Sequence, residues 1–172
     1  QSVIENMAPV LTGVFTPLFA LMLVAALVGM VVTGNIVDAE RDVLIILDLL
    51  LVVVLGLVLY AISARDPGAN PALMDGVQLV LVVSALAIDD VALAAIAGRI
   101  QEFGWTPNRT AGLGLNVVLL GNLVWSAWLL QGFLRGRRRF GELERWQTAY
   151  IPVYGVWAAL VVVAFPPLFG FD

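Results

Sequence analysis

Five stretches of this chain are long enough and apolar enough to cross a membrane. Each holds about 20 predominantly apolar residues, which an α-helix needs to span ~30 Å of hydrocarbon. They run from about Pro9 to Thr33, Val43 to Ala64, Met74 to Ala97, Pro107 to Leu134 and Gln147 to Phe165. The third is expected to continue as helix to Phe103, and Pro166-Pro167 to stop the fifth. Backbone groups in lipid need partners within their own segment, and these runs are too long and continuous for barrel strands. The fold class that follows is all-α, a polytopic transmembrane helix bundle of about five spans. The connections "GNIVDAERD", "RDPGANPALMD", "GWTP" and "RGRRRFGELERW" are short, so no soluble domain fits between the spans and residues 1–172 read as one transmembrane domain.

Composition matters mainly for what it removes. The chain is 61% hydrophobic with a mean hydropathy of +0.98, against roughly 45–50% apolar residues in a soluble domain. All 9 basic residues are arginine, and lysine, histidine and cysteine are absent. Ordinary zinc, haem and iron–sulfur sites therefore lack their ligands. Schiff-base cofactors lack their lysine, and Ser-His or Cys-His nucleophiles lack their base. The expectation is no cofactor, no metal site and no enzymatic activity. The formal charge of −4 is small, so the apolar runs decide the partners, beginning with the lipid bilayer.

The chain opens at Gln1, and no basic region precedes the first apolar run. That run does not read as a signal peptide, and a processed chain or the C-terminal part of a longer one is expected. Arginine placement suggests an orientation. The N-terminus, Arg65, Arg135, Arg137, Arg138, Arg139 and Arg145 fall on one side, and Arg41, Arg99 and Arg109 on the other. The richer side is the cytoplasmic one by the positive-inside rule. This puts the N-terminus in and the C-terminus out, with Arg135, Arg137, Arg138 and Arg139 forming a cytoplasmic basic loop.

The stretch "RIQEFGWTPNRT" punctuates the third and fourth spans. Gly104 suits a helix C-terminus, because glycine tolerates positive φ there. Thr106 suits an N-cap and Pro107 the first helical position. Arg99 and Glu102 stand at i, i+3 and can pair, and Trp105 suits a membrane interface. A tight hairpin explains every residue here. The same stretch, followed by an apolar helix, a basic loop and "WQTAYIPVYGVWAALVVVAFPPLF", resembles the C-terminal part of a large bacterial family of multi-pass membrane proteins that carry a domain of unknown function. The resemblance covers roughly residues 75 to 172 and is most specific at Arg99, Ile100, Glu102, Phe103, Gly104, Thr106 and Arg109. It implies a bacterial inner-membrane protein and carries no activity with it.

Ionisable groups inside a membrane are expensive and mark function by default. Asp48, Asp89 and Asp90 qualify, with Asn116 and Asn122 as polar amides of the fourth span. If neighbouring spans form antiparallel hairpins, Asp48, Asp89, Asp90 and Asn122 fall in one polar layer, roughly 10 Å below the outer surface at ~1.5 Å per residue. Asp89 and Asp90 point about 100° apart, so only one can face a given neighbour squarely. The layer reads three ways: a proton or cation path, hydrogen-bonded glue such as Asp89 to Asn122, or contact with a partner helix.

Gly112, Gly114 and Gly121 give the fourth span small surfaces for close packing. Pro17 and Pro152 are possible kinks. Trp146, Tyr150 and Tyr154 read as an interfacial aromatic stripe. "RGRRR" suits anionic headgroups as well as topology. It is too short and membrane-tethered for nucleic acid. The sequence favours a non-catalytic accessory or scaffolding subunit, packed with other membrane subunits or in a homo-oligomer. The alternative is a proton- or ion-coupled transporter of small solutes that uses the intramembrane aspartates.

Overall fold

The structure is a computed structural model that describes residues 2–33, 41–66 and 68–170, with side chains from residue 10 in the first segment and 45 in the second. The described residues form five helices: α1 (Ser2–Thr33), α2 (Arg41–Ser63), α3 (Leu73–Phe103), α4 (Pro107–Leu134) and α5 (Phe140–Phe169). All five are long and apolar enough to cross a membrane. The protein is an all-α, multi-pass membrane protein. Most of the connection "GNIVDAERD" lies outside the described residues.

α3 is the central helix. It packs against α1, α2 and α4, while α5 lies against α4 and touches α2 only lightly. Half of the most apolar window of α3 is buried in the bundle, against 6% of that of α5. The core between them is aliphatic, with Leu23, Leu51, Val54, Leu81, Ile88 and Leu119 fully buried. Lipid is the natural solvent for the exposed apolar faces of α1, α2 and α5.

The fifth helix differs from expectation at both ends. It begins at Phe140 rather than Gln147, because Glu142 accepts a hydrogen bond from the Arg139 N–H (3.3 Å) and closes the first turn. The expected basic loop thus contracts to Arg135–Arg139. Pro166 and Pro167 do not stop the helix. Gly170 does so instead, at φ 67°, donating its N–H to the Pro166 carbonyl. Hydropathy marks where lipid begins, whereas capping marks where a helix begins, and here the two separate. Pro17 and Pro152 likewise sit within continuous helices.

α4 and α5 meet through glycine notches. A Cβ at Gly114 would collide with the Trp157 ring, and one at Gly121 would lie 2.9 Å from the Tyr150 hydroxyl. The stripe of Trp146, Tyr150 and Tyr154 therefore turns toward α4. The Tyr150 hydroxyl donates to the Val118 carbonyl at 2.8 Å. A phenol buried in a bundle needs a partner, and a backbone left uncovered by a glycine is accessible to it.

At the end of the bundle carrying the α2–α3 and α4–α5 connections, Arg65 forms a lock. Its Nε lies 2.7 Å from Asp75 on α3. Its guanidinium also sits over the rings of Phe133 and Phe140, at 4.8 and 4.4 Å from their centroids. Through two aromatic faces and a carboxylate, Arg65 thus ties the end of α2 to α3, α4 and α5.

Candidate functional site: a polar cavity at the hairpin end

The opposite end is built by the α3–α4 hairpin, whose cap signals act as the sequence suggests. Gly104 has φ 77° and donates its N–H to the Ile100 carbonyl at 2.9 Å. Thr106 caps α4 by accepting from the Arg109 N–H at 3.4 Å, with Pro107 in the first turn. Arg109 then reaches back over the turn, donating to the Phe103 and Gly104 carbonyls at 3.2 and 2.8 Å. These are orphan carbonyls of the α3 terminus, so the arginine acts as a C-terminal cap in trans. Glu102 and Trp105 are exposed.

The hairpin also walls a cavity of about 850 Å³ between α2, α3, α4 and α5. Arg99, Thr106, Asn108 and Arg109 line it at the hairpin end, and Asp48 and Tyr154 line it within the bundle. Much of the remaining lining is aliphatic and aromatic. An apolar chamber with a few converging polar groups has the general form of a small-molecule site.

The expected layer of Asp48, Asp89, Asp90 and Asn122 is divided among different neighbours. Asp48 on α2 accepts from the Asn116 amide of α4 at 3.0 Å, and the same nitrogen donates to the Gly112 carbonyl at 2.9 Å. Asp89 is fully buried, and neither of its carboxylate oxygens has a hydrogen-bond partner among the described residues. Asp90 points away from the core and is exposed. The carboxylates of Asp90 and Asp48 lie within electrostatic reach of Asp89, as does the Tyr154 hydroxyl.

Asn122 is fully buried but does not serve Asp89. Its amide nitrogen donates to Gln147 Oε1 and to the Tyr154 hydroxyl, both at 3.0 Å. Its amide oxygen accepts from Gln147 Nε2 at 2.9 Å and from the Ser126 hydroxyl at 2.8 Å. Gln147 also donates to Ser126 at 2.7 Å. The proposed bond from Asp89 to Asn122 is thus replaced by an α4–α5 network. Asn116 and Asn122 lie six positions apart on α4, about 240° around the helix at ~100° per residue. One therefore faces α2 and the other α5.

Sequence reasoning passed over Gln147, Ser126 and Tyr154 as polar partners. Ser126 carried a signal, since it stands i, i+4 from Asn122 on an otherwise apolar helix. Gln147 was read as a span boundary. The basic residues Arg135, Arg137, Arg138 and Arg139 lie in and beside the α4–α5 turn, far along the chain from this site, and Arg138 pairs with Glu142 at 2.6 Å. No family model, curated protein or solved structure matches the chain.

Proposed function

We propose that this protein is a membrane carrier in which a small solute enters the hairpin-end cavity and a proton is exchanged at Asp89. It is not an enzyme on this reading. The observation that carries it is the fully buried, unpartnered carboxyl of Asp89 within electrostatic reach of the cavity-lining groups Asp48 and Tyr154. Structural glue makes hydrogen bonds, and Asp89 makes none among the described residues. An isolated ionised carboxylate in low dielectric is far more costly than a neutral acid, so such a group takes up and yields its proton with changes in its surroundings. Solute or water entering the cavity is such a change. Other buried side-chain atoms also lack partners, among them Thr16 Oγ1 and Gln78 Nε2, but among the described residues Asp89 is the ionisable one.

The cavity suggests the solute class. Arg99 and Arg109 suit an anionic group near the hairpin, Asp48 an amine or hydroxyl deeper in, and the aliphatic wall a short apolar body. An accessory-subunit role would need the apolar outer faces to meet protein, and lipid covers such faces equally well.

The test is proton entry into proteoliposomes that enclose a pH-sensitive dye. An inward pH gradient is imposed, and a panel of amino acids, small carboxylates and amines is offered outside. Wild-type protein is expected to show solute-dependent proton entry. Asp89→Asn should abolish it, and Asp90→Asn should leave it within about twofold. Equal proton entry in wild type and Asp89→Asn, or none with any solute, would sink the proposal.

A further inference from the structure

The α4–α5 turn holds a second cavity, of about 450 Å³, lined by Trp128, Gln131, Arg135, Arg137, Arg138 and Glu142 together with Gly132. Its floor is fixed by the backbone. Gly136 takes φ 67° and reverses the chain, and the N–H groups of Arg137 and Arg138 both return to the Gly132 carbonyl, at 2.9 and 3.2 Å. The arginines are therefore presented by a hydrogen-bonded turn that the helix end holds in place.

Their roles divide. The stem of Arg138 lies over Gly132, where an added Cβ would stand 2.8 Å from its Cδ. Its guanidinium stacks 3.8 Å from the centroid of the Trp128 ring and pairs with Glu142. It thus closes one wall and neutralises Glu142, the only acid lining the cavity among the described residues. Arg135 and Arg137 are exposed, and neither forms an ion pair among the described residues. Two guanidiniums without a counter-ion border one small cavity, a preformed setting for a phosphate.

The aromatic side of the cavity says where that phosphate comes from. Trp128 and Trp125 stand on the outer face of α4, 46% and 44% exposed, with ring centroids 4.6 Å apart. Trp125 in turn meets Trp146 at 5.6 Å. Indoles favour the membrane interface, and Trp128 borders the cavity itself, with Trp125 about a turn deeper along α4. They continue the polar cavity into an apolar surface along which an acyl chain can lie. A soluble phosphate would have no use for that surface.

We propose that this cavity is a binding site for the phosphodiester headgroup of an anionic lipid, held by Arg135 and Arg137 with its chains along Trp125 and Trp128. The reading is independent of the carrier proposal, since it concerns the other end of the bundle. A lipid seated here bridges the end of α4 and the start of α5, so it also braces the turn.

The test is native mass spectrometry of the detergent-purified protein, titrated with phosphatidylglycerol or phosphatidylcholine. Wild type is expected to retain phosphatidylglycerol preferentially. In Arg135→Gln/Arg137→Gln that preference should fall by about tenfold, given the contribution of each basic residue at an anionic surface. The charge-preserving pair Arg135→Lys/Arg137→Lys should keep most of it, which separates loss of the site from loss of the fold. Equal retention of the two lipids by wild type would overturn the proposal, as would an unchanged preference in the glutamine variant. Displacement of phosphatidylglycerol by millimolar glycerol phosphate would overturn the choice of a lipid over a free phosphate.

Discussion

Asn122 and Asp89 occupy neighbouring helices, and both are completely buried. Asn122 is engaged at both ends of its amide by Gln147, Tyr154 and Ser126. Asp89 has nothing at either oxygen among the described residues. Both are expensive groups to place in a membrane, yet they are handled in opposite ways. The asparagine holds α4 to α5. The aspartate holds no partner among the described residues, which is why the proposed function rests on it. A buried polar group with partners and one without are alike in sequence and differ in their worth to stability.

The largest effect that tests this contrast comes from removing a charged partner elsewhere. Arg65→Ala would strip Asp75 of its ion pair and the Phe133 and Phe140 rings of their cation. Thermal unfolding in detergent is expected to report a loss of about 3 kcal/mol, the lower end of the penalty for breaking a buried pair, because this one is part-buried. Asp75 keeps its bond from the Ala72 N–H at 2.7 Å, so a loss below about 1 kcal/mol would mean that one backbone donor is enough for a carboxylate in this bundle.

Next comes Asn122→Leu, which leaves Gln147, Ser126 and the Tyr154 hydroxyl with fewer partners. It should cost about 2 kcal/mol, since interhelical hydrogen bonds in membranes are individually modest but here act as a network. Asp48→Leu removes one bond to Asn116, whose nitrogen keeps the Gly112 carbonyl. About 1 kcal/mol is expected from the same measurement.

The smallest stability effect belongs to Asp89→Leu. With no hydrogen bond to lose, it should change unfolding by less than about 0.5 kcal/mol or raise stability, while solute-dependent proton entry disappears. If Asp89→Leu destabilised the protein as much as Asn122→Leu, the contrast would collapse, and the aspartate would be a structural group after all.

Much of the fold was legible because it rests on local rules. Five apolar runs required five helices, and Gly104, Thr106 and Pro107 marked the hairpin by cap chemistry. The start of α5 was less legible, since Glu142 builds its first turn outside the apolar run. The aromatic stripe was read correctly as one helical face but not as one turned toward α4, because periodicity says which residues share a face and not what that face meets.

The same limit governs the polar residues. Position along a helix follows from counting residues at ~1.5 Å each, so the sequence by itself determined that these acids and amides lie inside the long apolar helices. Rotation about the helix axis relative to a neighbour follows from packing, here from the glycine notches of α4 that receive Trp157 and Tyr150. Only the tertiary structure decided that Asn122 turns to α5, that Asn116 turns to Asp48, that Asp90 looks outward and that Asp89 is buried without a partner among the described residues. An apolar pattern fixes what enters the bilayer, because lipid reads composition. Which polar group meets which depends on the interlocking of side chains across helices, and no single segment encodes that.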